Sequence, residues 1–281
     1  MSAQEQEMAG LRSERTPAAG LRRGAALVAA AALAWCCAGS SAAAQFSDGS
    51  ARIMPAGQVE LGVFGPLKVG LSDDLQLEAQ PLLFFVMPQL EGRYRLLHEG
   101  AVHLAVEAEL SYPTLLLSLL AKNGIGGLVS PDSDIPPALM IAVRGVASLD
   151  HGAGRISTAR LGVEVAPRGS SQNFAVLDFP FLYPRFAALH APFVPYAELR
   201  SEGVLVGALD YLASARLFGL LTDFPGAAFE AELGLRWRVD PRIALSARVW
   251  TSVAAYPYGT QFHWFPMLEA EFIIEPGTPR E

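Results

Sequence analysis

Apolar and polar residues alternate along several segments of this chain, with the period of two that is typical of β-strands. Between residues 101 and 112 the even positions are apolar from Val102 to Leu110, whereas the odd positions include Glu107 and Glu109. Such a segment predicts a strand that has one apolar face and one charged face.

The clearest pair of strands covers residues 229–239 and 243–250, which a turn at 240–242 joins. Each strand is about ten residues long, which is the length that a tilted membrane-spanning strand requires. Apolar residues share one parity across this hairpin, and the pattern predicts that the acyl chains of a membrane meet Leu233, Leu235, Leu245 and Val249.

The same alternation predicts about twelve strands in all, with ten as the alternative count. The first strand begins at Val59 and ends at a turn at 72–74, and the second starts at Leu75. The longest connection, 113–137, is interpreted as an external loop with a helical turn. The remaining predicted strands are 89–97, 138–149, 155–165, 174–186, 192–200, 203–214 and 261–274.

The first 44 residues have the composition of an export signal. An uncharged stretch at 24–35 follows several arginines, and small residues continue to Ala44. We therefore expect a signal peptide at 1–44, a polar leader at 45–57, a barrel at 58–274 and a tail at 275–281. An uncleaved anchor is the alternative. Lipidation at Cys36 is disfavoured, because Trp35 rather than a small residue precedes it.

The composition narrows the class of protein. Hydrophobic residues make up 51% of the 281 positions and charged residues 17%, against about 25% charged in typical soluble domains. After the N-terminal region no apolar run approaches the roughly 20 residues of a membrane helix. A secreted soluble barrel or sandwich and a membrane barrel both remain. The net charge of -7 argues against a nucleic-acid partner.

Aromatic residues cluster at 179–186 and at 256–265, which is where girdles at the two lipid interfaces are expected. With the signal segment, the alternating strands and the tight turns, residues 58–274 resemble a bacterial outer-membrane β-barrel. The resemblance is architectural and assigns no functional residues. It implies an all-β, antiparallel, up-and-down transmembrane β-barrel that is exported by the secretory pathway, inserted by the barrel-assembly machinery and surrounded by membrane lipid. The tail after Phe272 departs from barrels that end on a terminal aromatic residue.

No catalytic motif accompanies these strands, and we expect neither an enzyme nor a cofactor. The five histidines show no second histidine at metal-ligand spacing, so no metal site is predicted. Two functions stay open: a narrow channel or transport barrel, and a structural or surface-interaction barrel with a plugged lumen and loop 113–137 as its contact. The parity of the strands predicts that the lumen is faced by Glu107, Glu109, Glu230, Glu232, Arg236, Arg238, Arg248, Glu269 and Glu271.

Overall fold

The computed structural model describes residues 49–122, 129, 135–167, 181–221, 226–256 and 259–274. These residues form twelve antiparallel strands that pair in sequence order and close into a barrel where β12 meets β1. The strands are β1 Val59–Gly62, β2 Leu67–Gly70, β3 Leu75–Ala79, β4 Gln89–Glu99, β5 Val102–Ser111, β6 Met140–Gly152, β7 Arg155–Val165, β8 Val194–Val206, β9 Leu209–Leu220, β10 Gly226–Asp240, β11 Ile243–Tyr256 and β12 Gly259–Ile274.

The predicted fold class, an all-β barrel of antiparallel strands, is confirmed. Alternation determines which way each side chain points, because neighbouring residues of a strand face opposite sides of the sheet. In the β10–β11 hairpin, Leu233 lies opposite Val249 on the outer side, and Glu232 lies opposite Trp250 on the inner side. Arg242 N–H donates to Asp240 Oδ1 at 2.6 Å and stabilises the predicted turn.

The predicted strand number is reached through two errors that offset each other. The predicted first strand is in fact β1 and β2, separated by a turn at 63–66 that contains Gly65 and Pro66. The predicted strand 174–186 is wrong in its described part, because residues 181–186 form a turn and a short helix. Pro184 occupies the first turn of that helix, where a missing N–H costs nothing. Residues 174–180 lie outside the described residues.

The boundary between β8 and β9 also differs from the prediction, which ended one strand at residue 200 and began the next at 203. Strand β8 instead continues to Val206, and the chain reverses at Gly207. Gly207 has a φ of +55°, which favours glycine, whereas Gly203 is paired inside the strand with Tyr211. The sequence offers two glycines close together, and only the tertiary register selects the one that turns.

The two ends of the barrel differ in their connections. One end carries tight turns after β2, β4, β6, β8 and β10, and we call it the short-turn end. The other end carries the longer connections after β3, β5 and β7, and we call it the long-loop end. Since β1 begins and β12 ends at the short-turn end, the described chain enters and leaves the barrel there.

Two helices belong to the long-loop end: α1 (Thr114–Leu120) and α2 (Tyr183–Phe186), the latter followed by a 3₁₀ turn at Ala187–Leu189. The helical turn predicted in loop 113–137 is thus present as α1. Among the residues that the structure describes, no helix is long and apolar enough to cross a membrane. Apolar side chains of α1, α2 and the neighbouring strand ends form the largest buried cluster of the protein.

Candidate functional site

The outer and inner faces of the barrel differ sharply in charge. Away from the strand ends, the outward positions of the described strands carry no Asp, Glu, Lys or Arg. Their large apolar side chains are exposed, for example Leu199 by 68% and Leu268 by 74%. Charged side chains point into the lumen instead. A soluble barrel places its charges on the opposite face, so the arrangement is inverted relative to such proteins.

A chain of ion pairs begins on the inner face of β3 and continues around the wall. Arg93 on β4 contacts Glu78 on β3 at 3.1 Å and Glu107 on β5 at 2.8 Å. Arg160 on β7 contacts Glu107 at 3.3 Å and Glu198 on β8 at 2.8 Å. Each arginine therefore joins carboxylates of two different strands, with alternating sign from one group to the next.

The chain continues through the second half of the barrel. Arg216 on β9 contacts Glu198 at 3.2 Å and Glu232 on β10 at 3.0 Å. Arg248 on β11 contacts Glu232 at 3.4 Å and Glu271 on β12 at 2.7 Å. Removing one member of such a buried pair typically costs about 3–5 kcal/mol, because the partner charge is left uncompensated. The lumen is thus cross-linked electrostatically from β3 to β12.

The structure places every charged residue that was predicted to face the lumen on the inner side of the wall. Glu230 has no exposed surface and contacts Arg185 at 2.7 Å. Arg238 contacts Asp210 at 3.1 Å near the short-turn end. The others line one central cavity: Glu107, Glu109, Glu232, Arg236, Arg248, Glu269 and Glu271.

Several cations of this lumen were missed at the level of sequence. Arg93, Arg144 and Arg160 share the inward parity of predicted strands, so their alternation with apolar neighbours was the available signal. Arg216 lies beyond the predicted end of its strand at Ser214. Arg185 had no such signal, because its segment was interpreted as a strand and is a helix.

Arg185 attaches α2 to the barrel wall. Its Nη1 and Nη2 donate to the two carboxylate oxygens of Glu230 at 2.7 and 2.8 Å, a bidentate geometry. The guanidinium carbon lies 4.5 Å from the centre of the Trp250 ring, within the range of a cation–π contact. We call Arg185, Glu230 and Trp250 the Arg185 latch. It holds a loop segment inside the lumen through two hydrogen bonds and a cation–π contact.

The segment around the latch fills the long-loop end of the lumen. Tyr183, Phe186 and Leu189 are buried there with Leu117 of α1. The prediction that the 179–186 cluster belongs to a lipid-interface girdle is therefore wrong for its described buried members. These side chains face inward because residues 181–191, the described part of the connection after β7, pack inside the barrel. Phe262 and Trp264 of the second predicted cluster are exposed.

The short-turn end of the lumen is occupied by the segment 49–57, part of the predicted leader. Ala51 is fully buried, and its N–H donates to Ser148 Oγ at 2.8 Å. The N–H of Met54 donates to Gln76 Oε1 at 3.0 Å, and Arg52 forms an ion pair with Asp150. The chain that precedes β1 is thereby bound to β3 and β6 inside the barrel.

A cavity of about 620 Å³, lined by many charged side chains, lies between these two fillings. Since a water molecule occupies roughly 30 Å³ of the liquid, the cavity has room for many waters or for a small solute.

His98 and His103, which lie five residues apart in the sequence, stack across the β4–β5 hairpin with their Nδ1 atoms 2.9 Å apart. The described residues contain no group of three or more His, Cys, Asp or Glu that could hold a metal ion.

Comparison with known proteins gives a fold likeness only. No family model matches the chain, and no curated protein matches it. Four chains of solved structures match. One is the anion-selective porin from Comamonas acidovorans, with 11% sequence identity and a TM-score of 0.37. The likeness covers 72% of this chain and 57% of the porin, so this chain spans little more than half of the porin's length.

Proposed function

We propose that this protein is an outer-membrane β-barrel that acts as a narrow channel, and that the structure describes its closed state. The observation that carries the proposal is the inversion of charge between the two faces. A wall with a charge-free apolar exterior suits hydrocarbon, and an interior lined with Arg and Glu suits water and ions. Where neighbouring strands pair, their backbone hydrogen bonds are satisfied within the wall, as a bilayer requires.

The closed state follows from the two fillings of the lumen. The segment 49–57 blocks the short-turn end and α2 blocks the long-loop end, while many charged side chains line the cavity between them. Loss of the Arg185 latch would release α2, because the latch joins Arg185 of this helix to the buried Glu230 of the barrel wall. A conducting path then needs both segments displaced and no change in the strands, and loss of the latch removes one of these two barriers.

A second candidate function, a structural or surface-interaction barrel, is favoured by a different observation. The ion pairs from β3 to β12 alternate in sign and neutralise one another, as expected for a lumen that serves as a rigid core. In that case the long-loop end, including the connection after β5, would carry the contacts with partners.

Conductance of the purified protein in planar bilayers separates the two functions. We expect rare, small steps from the unaltered chain and more frequent steps from Arg185→Ala, because that change removes the latch. Glu230→Gln should have the same direction of effect and should also shift ion selectivity, since one acidic group leaves the path. Arg242→Ala, in an exposed turn at the short-turn end, is the matched control.

The result that would contradict the channel is silence from all these variants while each one remains folded. Folding is checked by the altered electrophoretic mobility of the unheated barrel and by protection of the strands from protease in vesicles. Silent but folded variants would leave the structural barrel as the function.

A further inference from the structure

The wall of the barrel is not equally high on all sides. Strands β1, β2 and β3 contain 4, 4 and 5 residues, whereas β12 contains 16. At about 3.4 Å per residue, a four-residue strand extends roughly 14 Å, well short of the apolar band of about 25 Å in an outer membrane. We call β1–β3 the low wall.

Because β1 is short, only the last residues of β12 have a described neighbouring strand on that edge. Strand β1 pairs with β12 from Gly62, opposite Glu271, to Val59, opposite Ile274. The N–H of Val63 also donates a hydrogen bond to the carbonyl of Ala270. Above that point no described strand pairs with residues 259–269 on this edge. A step in the wall therefore opens beside β12, on the long-loop side of the β1–β12 seam.

Exposed apolar side chains lie in the connections that follow β1 and β3. Phe64 in the turn after β1 is 62% exposed, and Phe85 in the connection after β3 is 85% exposed. Exposed aromatic and aliphatic groups of this kind are costly in water and favourable against acyl chains. The same region reaches inward, because Phe64, Gly65, Leu83 and Met267 also line the central cavity. Phe64, which is exposed, therefore also borders the lumen beside the step.

A carboxylate lies directly inside the opening. Glu269 is 7% exposed, lines the cavity and accepts a hydrogen bond from the N–H of Phe64 at 3.0 Å. Unlike the neighbouring Glu271, it belongs to none of the described ion pairs. A cationic partner strongly stabilises the charged form of a buried carboxylate. We call Phe64, Gly65, Leu83, Met267 and Glu269 the lateral mouth.

We propose that the lateral mouth binds a membrane lipid whose head group carries an amine, with the ammonium on Glu269 and an acyl chain lying over the low wall. The apolar rim matches the chain, and the unpaired acid matches the head group. The site rests on the proposed outer-membrane location, and it would supply hydrophobic cover where β1–β3 are too short. It also gives lipid a path to the lumen that bypasses both fillings.

The test counts bound lipids by native mass spectrometry of the refolded full barrel, after incubation with phosphatidylethanolamine or with phosphatidylglycerol of identical acyl chains. We expect tighter binding of phosphatidylethanolamine by about ten-fold, the size of one charge-assisted hydrogen bond. Glu269→Gln keeps the shape and the bond from Phe64 but removes the charge, and it should abolish the preference. Glu164→Gln, on β7 in the same cavity, is the matched control and should retain it.

A second variant tests the path rather than the charge. A side chain added at Gly65 would meet the Glu269 carboxylate at 3.6 Å without backbone overlap, so Gly65→Leu should fill the mouth and reduce binding of both lipids. Gly145→Leu on the outer face of β6, away from the low wall, is its control. Equal binding of the two lipids, unchanged by Glu269→Gln and Gly65→Leu, would overturn the proposal. Failure of the protein to insert into vesicles would instead contradict the outer-membrane location itself.

Discussion

Leu233 offers the most direct measurement of which face of the barrel meets lipid. It occupies the centre of β10, is 59% exposed, and lies opposite Ala213 on β9 and Val249 on β11. Leu233→Ala removes the equivalent of three carbons from the apolar exterior, which at about 0.8 kcal/mol per carbon costs roughly 2 kcal/mol. An arginine at the same depth should cost about 2–4 kcal/mol more than alanine. Leu233→Arg is therefore expected to lose about 4–6 kcal/mol in all.

The free energies come from equilibrium urea unfolding of vesicle-inserted protein, followed by tryptophan fluorescence. Val239→Arg is the depth control: it shares the outward face but lies beside the turn at 241–242, where an arginine should cost only about 0–1 kcal/mol relative to alanine. The reasoning is refuted if Leu233→Arg is no less stable than Leu233→Ala, or if both depths cost the same. Either result would mean that this face does not meet hydrocarbon.

Two further predictions concern the lumen and the N-terminus. Arg93→Ala removes a buried cation that three carboxylates share, so unfolding in urea should show a loss of about 3–5 kcal/mol. Arg52→Ala breaks a half-exposed ion pair and should cost less than about 1 kcal/mol, and equal losses would contradict the role assigned to burial. Cleavage after Ala44 is expected on export, and sequencing the N-terminus of the protein from an outer-membrane fraction checks it, with an intact Met1 as the contrary outcome.

The segments that form strands, and the side of the sheet that each side chain faces, could be predicted from the sequence because both depend on the local alternation of apolar and polar residues. The segment 155–165 was predicted with the bounds that β7 has, since Ala159, Leu161, Val163 and Val165 share one parity and the charged Arg160 and Glu164 share the other. The hairpin β10–β11 was predicted for the same reason. Glu107, Glu232 and Glu271 could be assigned to the inner face from parity alone, although parity says nothing about which arginine each one contacts.

Tertiary structure decided what fills the lumen. Tyr183 and Phe186 looked like girdle residues because aromatic composition is the same on a lipid surface and in a buried plug. The segment 49–57 belongs to the predicted leader, yet its backbone N–H groups find acceptors such as Ser148 and Gln76 only once the barrel exists. An apolar–polar pattern of period two determines which side of the sheet each side chain of a strand faces. The height of the low wall, the Arg185 latch and the lateral mouth depend instead on register and on loops that fold back, and both are set by contacts between residues far apart in the chain.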